Sequence, residues 1–258
     1  MRIIGRTRHR ILSLAPSATS IVCALGARRE LVGVTKWCKD VAPVARLPRL
    51  GDCWTIDTTR ITPLRPTLII GSVPYKGETV QEILKLPINF LAMNPRSLAD
   101  IEADIRMLGG ILGRADAAEK VVARMRVQFS IVAKAASRSL RGEERLRVYA
   151  EAWPKPRISS PPWVAELVEI AGGRMVVPAG TRVSDEEVAR ARPDVIVIAW
   201  AATGSRASAK KTLALTAWQN VPAVVNHCVH VVRDEWLNTP GPILVRGARE
   251  LGRILQKC

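Results

Sequence analysis

One segment of this chain is written twice. Residues 56–70 read Ile56-Asp-Thr-Thr-Arg-Ile-Thr-Pro-Leu-Arg-Pro-Thr-Leu-Ile-Ile, and residues 183–197 read Val183-Ser-Asp-Glu-Glu-Val-Ala-Arg-Ala-Arg-Pro-Asp-Val-Ile-Val. The second copy starts 183 − 56 = 127 positions after the first. Each copy has a polar cap, a short helical turn, Arg-Pro, and then an apolar run suited to a buried strand. A chain that carries one α/β unit twice predicts two similar lobes. Two lobes leave a cleft between them, and function is expected there.

The 258 residues are enough for one large domain or two small ones with real cores, and the 48% hydrophobic content is that of an ordinary globular chain. No apolar run reaches the roughly 18–20 residues of a membrane span. The segment from Met1 to Arg10 is basic and short, without an apolar stretch and cleavage site behind it, so no secretory signal is visible. The chain has 39 Lys+Arg against 23 Asp+Glu, net +16. Such a field draws nucleic acid, anionic lipid or acidic ligands. The basic residues are scattered, however, and no nucleic-acid motif accompanies them, so a generally basic surface is the expectation.

Strand and helix signals alternate along the chain. Strands are expected at 10–14, 31–34, 68–70 and 88–91, with helices from about 20 to 25 and from 79 to 84. Residues 98–112 and 115–137 carry apolar positions at helical spacing, among them Ile101, Ile105 and Leu108, then Val121, Val122, Met125 and Phe129. The second of these helices is long enough to bridge two lobes rigidly, at roughly 30 Å for about 20 residues. A charged linker is expected at 138–145. The second half repeats the pattern, with strands at 146–150, 194–199 and 229–232 and helices at 163–171, 186–191 and 242–256. The fold class is therefore α/β, two Rossmann-like lobes with mainly parallel sheets joined by a long helix. The expected domains are 1–96, a connecting helical backbone at 97–140, and 141–258.

Catalytic motifs are absent from the sequence: it has no triad, phosphate-binding loop or dinucleotide fingerprint. His227 and His230 flank Cys228, which would suit a metal fragment. In a strand, positions 227 and 230 face opposite ways, so a structural role is favoured and no metal site is assigned. Five cysteines are present and none forms Cys-x-x-Cys. Cys38 and Cys53 can pair in an oxidising compartment; free or buried thiols are the alternative.

Seven tryptophans stand against two tyrosines and two phenylalanines. Several follow expected strands, where open α/β folds take their ligands. Trp37 follows 31–34, Trp153 follows 146–150, Trp200 follows 195–199, and Trp236 follows 229–232. Trp54 sits in a loop after Gly51. Core packing is the alternative for any one of them, and Trp163 and Trp218 are left in the core. The other five are expected as ligand-binding residues, because aromatic walls suit a large, flat, partly apolar ligand.

Five segments together resemble the solute-binding proteins of ABC importers for cobalamin and iron–siderophore complexes. They are Arg10-Ile-Leu-Ser-Leu-Ala-Pro-Ser-Ala-Thr, Leu31-Val-Gly-Val-Thr, Leu64-Arg-Pro-Thr-Leu-Ile-Ile, Glu151-Ala-Trp-Pro-Lys-Pro with Trp163-Val-Ala-Glu-Leu-Val-Glu-Ile-Ala-Gly-Gly, and Asn238-Thr-Pro-Gly-Pro. Their order and spacing carry the resemblance across residues 10–256.

The resemblance implies a corrinoid, or another bulky metal chelate, held between the lobes and delivered to an ABC permease and its ATPase. Trp37 and Trp54 would line the first lobe's side of the cleft, with Trp153 and Trp236 on the second. Glu78 resembles a glutamate that docks onto permease arginines. Its counterpart by the repeat offset falls near Ser205, followed by Arg206, Lys210 and Lys211, so the second docking carboxylate has no equivalent. The turn at 234–239 lacks a basic residue used by some cobalamin binders. The expected protein is a monomeric binder with no catalytic residues, no cofactor of its own and no nucleic-acid partner. The resemblance implies the periplasm, while the missing export signal leaves the cytoplasm open. A rival reading is a cytosolic corrinoid-handling protein or enzyme on the same scaffold, for which Glu151, Asp234 and Glu235 are the available carboxylates.

Overall fold

The computed structural model describes residues 9–51, 56–140, 144–201 and 207–258. The chain divides into two compact units, Met1–Pro95 with Ala99–Ala123, and Arg96–Leu98 with Arg124–Cys258. The last passage from the first unit into the second falls inside one long helix, between Ala123 and Arg124.

In the first unit, the start of the sheet is set by Arg10. Its backbone N–H donates to Thr67 Oγ1 at 3.0 Å, and its guanidinium donates to the carbonyls of Leu64 and Arg65. This ties the entry of β1 (Ile11–Ser13) to the turn before β3 (Leu68–Ser72), and the two strands run parallel with Ile11 opposite Leu68. Between them lie α1 (Pro16–Ala24) and β2 (Leu31–Gly33). Pro16 stands at the first helical position, where its missing N–H costs nothing, and Gly26 follows the helix at φ +74. After β3 come α2 (Gly77–Leu84) and β4 (Asn89–Met93). The sheet order is β2-β1-β3-β4, all parallel. The residues of β1 and β3 are buried throughout, as continuous apolar runs in a parallel sheet should be. Next come α3 (Leu98–Ile111) and α4 (Ala115–Leu140). Helix α4 spans 26 residues, roughly 39 Å at the α-helical rise.

The second unit begins on the same device. The backbone N–H of Arg147 donates to Asp194 Oδ2 at 2.8 Å, and its guanidinium makes two further bonds to the same carboxylate. That partnership holds the Asp194 carboxyl below its ordinary range. Strand β5 (Arg147–Pro154) then pairs in parallel with the strand that follows Arg-Pro in the second copy of the repeat, with Val148 opposite Val195. Since 68 + 127 = 195, the repeat in sequence is also a repeat in register.

The elements in order are β5, β6 (Arg157–Ser159), α5 (Pro162–Ile170), β7 (Arg174–Met175), α6 (Asp185–Ala191), β8 (Val195–Ile198), α7 (Ala209–Leu213), α8 (Pro222–Val225), β9 (Val229–Val231), α9 (Asp234–Leu237) and α10 (Leu244–Leu255). Strand β8 lies between β5 and β9, and the other edge of β5 is shared by β7 near its start and β6 near its end. Helix α10 packs close on α9: a Cβ at Gly247 would lie 2.2 Å from the Trp236 carbonyl oxygen, so no larger residue fits there. Among the described residues, no helix is long and apolar enough to cross a membrane.

The two copies differ in their helical turn. In the second, Ser184 caps α6 by a reciprocal box with Glu187. In the first, the Asp57 side chain accepts from the Thr59 N–H and two short 3-10 turns, Thr58–Arg60 and Thr62–Leu64, replace the α-helix. Proline at position 63 suits the start of such a turn but not the interior of a longer helix. Both copies end alike. Arg65 (φ 46, ψ 51) and Arg192 (φ 46, ψ 57) are left-handed, each immediately before its proline.

Several features depart from the sequence reading, among them the short helices α7, α8 and α9. The strand expected at 146–150 continues to Pro154 and turns back as β6, because the hairpin pairs Trp153 with Ile158. The two-residue strand β7 is too short to show a period. Helix α4 runs on to Leu140, into the expected linker, because its last turns keep good helix formers. Cys228 is bonded to Cys258, tying β9 to the chain beyond α10 across 30 residues. Cys38 is a free, buried thiol beside the Thr19 and Thr35 hydroxyls, at 3.0 and 3.1 Å, and burial pushes its pKa up. Cys53 lies outside the described residues.

The left-handed arginines carry a testable cost. Both are exposed, and a left-handed L-residue costs about 1–2 kcal/mol, part of which glycine returns to the unfolded chain as entropy. Arg192→Gly should raise unfolding stability by about 0.5–1 kcal/mol, whereas the β-branched Arg192→Val should lower it. Urea denaturation of the two variants checks this; equal midpoints would show that the position is not strained.

Candidate functional site

In both sheets the connections reverse direction beside the first strand. In the first unit, β1 leads through α1 outward to β2, while β3 leads through α2 to β4 on the other side. In the second unit, β5 leads through α5 to β7, and β8 leads on to β9. Loops leaving two adjacent strands in opposite directions open a crevice at the carboxyl ends of the strands. In the first unit that point lies between β1 and β3, and in the second between β5 and β8.

Several tryptophans follow strand ends within their own unit: Trp37 beyond β2, Trp153 at the end of β5, Trp200 beyond β8 and Trp236 beyond β9. In the first unit Trp37 follows β2, half-buried, with Lys36 Nζ 5.1 Å above its ring. Trp54 lies outside the described residues. Tyr75, which the sequence reading did not single out, follows β3. Its hydroxyl donates to the Met93 carbonyl at 3.0 Å, and its ring meets Phe90 edge-on at 6.4 Å. The signal for it was available, since an aromatic a few residues past a buried strand is the pattern that singled out Trp37.

In the second unit Trp153 stands at the end of β5 itself, half-buried, its Nε1 donating to the Lys155 carbonyl at 2.9 Å. Trp236 lies in α9, half-buried, with the Arg233 guanidinium 5.6 Å from its ring. Arg233 precedes the 234–239 turn by one residue, so a cation stands at that turn after all. Trp200 directly follows Ala199 at the end of β8, but only 6% of it is exposed and its ring packs in the unit's core.

Glu151 explains the placement of Trp200. It lies on β5 opposite Ile198, 1% exposed, among apolar residues. A carboxylate in such a place must be paired and hydrogen-bonded. Trp200 Nε1 donates to Oε1 at 2.6 Å, the Tyr149 hydroxyl donates to Oε2 at 2.8 Å, and Arg157 forms an ion pair with Oε2. Arg157 also pairs with Asp185 at 2.7 Å and lies 4.4 Å from the Trp218 ring. Trp218 in turn meets Tyr149 edge-on at 5.9 Å and donates to the Asp185 carbonyl. Burial, then the neighbouring Glu151 charge, pushes the Tyr149 phenol up, so it stays a donor. Burial works against the Arg157 charge, but Glu151 and Asp185 together hold its pKa above the ordinary value. The network joins β5, the β6 hairpin, the cap of α6 and the end of β8. The sequence reading missed Arg157. Its signal was Glu151 itself, an acid inside a buried strand that a cation six residues later, across a Lys-Pro turn, can reach.

The carboxylates proposed for an enzyme are thus engaged. Glu151 spends its oxygens on three donors, and Glu235, 9% exposed, is paired with Arg233. Asp234 opens α9. Glu78 sits in the first turn of α2, exposed, with Lys76 Nζ at 3.1 Å. Ser205 and Arg206, at its repeat counterpart, lie outside the described residues, and Lys210 lies in α7. His230 Nε2 is 3.3 Å from Cys258 Sγ, and burial lowers its pKa. His230, Cys228 and Cys258 group their ligand atoms within 4.8 Å, but the two sulfurs are joined to each other as the disulfide.

The family model described as periplasmic binding protein matches residues 11–235. An uncharacterised ABC transporter substrate-binding lipoprotein of Bacillus subtilis is 26% identical over 260 residues, which cover 96% of this chain and 80% of the relative. A vitamin B12-binding protein of Pectobacterium atrosepticum is 24% identical over 254 residues, covering 94% of this chain and 87% of the relative. Among solved structures, the periplasmic vitamin B12 binding protein of Vibrio cholerae superposes with a TM-score of 0.77 at 23% identity, covering 96% of this chain and 97% of that one. A periplasmic heme binding protein from Pseudomonas aeruginosa gives 0.81 at 20% identity, covering 96% and 93%. These likenesses bear out the α/β fold of two parallel-sheet lobes read from the sequence.

Removing Glu151 tests the network. Glu151→Ala leaves the Arg157 guanidinium with Asp185 as its one carboxylate among the described residues and two aromatic donors unpaired, and should cost about 3 kcal/mol, while Glu151→Ala with Arg157→Met should recover part of it. Urea unfolding measures both. A loss below about 1 kcal/mol for the single variant would mean the network does not hold the strand ends.

Proposed function

Because the chain belongs to the periplasmic binding protein family, whose members bind substrates rather than transform them, we propose that it captures a corrinoid of the cobalamin type for ABC import. The observation that carries this reading is the set of half-buried tryptophans, Trp37, Trp153 and Trp236, at the carboxyl ends of strands or just beyond them. Flat indole faces exchange water for a macrocycle's apolar surface, and each ring buries about 150–250 Å² when covered. Lys36 over Trp37 and Arg233 over Trp236 set a cation beside an aromatic face in each unit. That suits a macrocycle whose rim carries acceptors or a phosphate. Trp54, outside the described residues, remains a candidate ligand-binding residue in this reading. Trp200 fixes the end of β8 through Glu151.

The names of the relatives support the ligand class. Several curated relatives are vitamin B12-binding proteins. Some structural neighbours bind heme, another flat metal macrocycle, so heme is the second ligand to test. Glu78, exposed in the first turn of α2, is the docking carboxylate for a permease in this reading. The Cys228–Cys258 disulfide agrees with an oxidising compartment, as expected for an importer's binding protein.

Titration calorimetry with cyanocobalamin, heme and a ferric siderophore tests the proposal. Cobalamin should bind with micromolar or tighter affinity, and Trp153→Ala or Trp236→Ala should weaken it about tenfold or more, about 1.4 kcal/mol each. Glu78→Arg should leave that affinity unchanged and abolish uptake with the cognate permease. Heme binding without cobalamin binding would reassign the ligand. No binding of any of the three at micromolar concentration would contradict the proposal.

A further inference from the structure

We propose that the first unit holds a second binding site, a basic cavity for a phosphate-bearing anion, at the end of that unit's sheet opposite Trp37. The cavity has a volume of about 1060 Å³ and is lined by Arg28, Arg29, Arg46 and Arg114 over an apolar floor that includes Leu47 and Leu112. Arg28 and Arg29 belong to the 3-10 turn that feeds the amino end of β2, and Arg114 joins α3 to α4. The proposed corrinoid face lies at the carboxyl ends of the strands, so one sheet separates the two places.

The charge count favours an anion. Four guanidiniums line the cavity against one carboxylate, Glu30, a net of 4 − 1 = +3. Glu30 is 9% exposed and committed to Arg114, whose Nη2 donates to it at 3.0 Å. Arg114 Nε is buried and has no acceptor. Among the described residues, no carboxylate forms an ion pair with Arg28, Arg29 or Arg46, and all three are exposed around the cavity mouth. Like charges gathered without partners repel one another, and a bound anion relieves that repulsion. Arginines lining one cavity supply planar guanidiniums suited to the multiple oxygens of a phosphate, each pair of N–H groups able to take two oxygens. The apolar floor suits a phosphate that carries an organic body. Two sources share this chemistry, a soluble phosphate compound and the headgroup of an anionic phospholipid.

The experiment uses the full chain. Calorimetry with inorganic phosphate and pyrophosphate probes the soluble source, and flotation with phosphatidylglycerol vesicles, against phosphatidylcholine alone, probes the lipid. The variant Arg28→Gln/Arg46→Gln empties the cavity mouth and leaves the Arg114–Glu30 pair intact. The control Arg182→Gln/Arg190→Gln removes the same charge from exposed positions of the second unit. The cavity variant should bind its probe about tenfold or more weakly, as expected for lost charge-assisted hydrogen bonds, and the control within about twofold of the parent. Binding of the soluble anions identifies the first source, and binding of vesicles alone the second. If neither probe binds the parent chain, or if both variants weaken alike, the attraction is only that of a chain with net charge +16 and the proposal is overturned. Cobalamin affinity should be the same in the cavity variant and the parent, so this site and the corrinoid reading can fail separately.

Discussion

Two backbone N–H groups set the register of the central strands, one pair in each unit. Those of Arg10 and Arg147 donate to the side chains of Thr67 and Asp194, each the first residue after an Arg-Pro pair. Each bond fixes where the first strand meets the strand behind the repeat, and a parallel sheet slipped by one residue would turn every side chain to the wrong face. With that register set, Ser13 faces Ile70 and Glu151 faces Ile198. The carboxyl ends of the central strands, and the loops that leave them, follow from it. The left-handed arginines before the prolines make the sharp entry into β3 and β8. Strain at Arg65 and Arg192 is thus tied to the placement of the strand ends, Ser72 and Ile198, seven and six residues later.

Much of this was legible in the sequence because it is local or periodic. Arg-Pro followed by an apolar run marks β3 and β8, and the spacing from Ile101 to Phe129 marks the long helices. The α/β class and the alternation of elements followed from those signals, and the solved structures with the same fold agree. What escaped was set by partners distant in sequence. The β6 hairpin exists because Glu151 needs Arg157 and Arg157 needs Asp185, a chain of demands that no period reveals. The disulfide joins cysteines 30 positions apart. Tyr75 is defined by where β3 ends, and a sequence reading locates strand ends less well than strand centres.

The tryptophans show the same division. Following a strand was enough to find Trp37, Trp153, Trp200 and Trp236, but not to separate a ring that lines a crevice from one that supports it. Trp200 has a buried carboxylate within reach of its Nε1 and turns inward to meet it, whereas Trp37 and Trp236 carry cations beside their faces. For Trp200 the buried Glu151 carboxylate needs a donor, and the indole N–H supplies it. The charge excess reads likewise. Its total is visible in composition, yet Arg28, Arg29, Arg46 and Arg114 come together only through the turn before β2 and the α3–α4 connection.

The central proposal is that, in each unit taken by itself, the carboxyl ends of the strands make the face that meets the ligand. Hydrogen–deuterium exchange with and without saturating cyanocobalamin locates that face directly. Protection is predicted in residues 35–40, 152–156 and 233–238, with little change around 26–31 and 44–47. Protection confined to the latter segments, or none anywhere at saturation, would contradict the account.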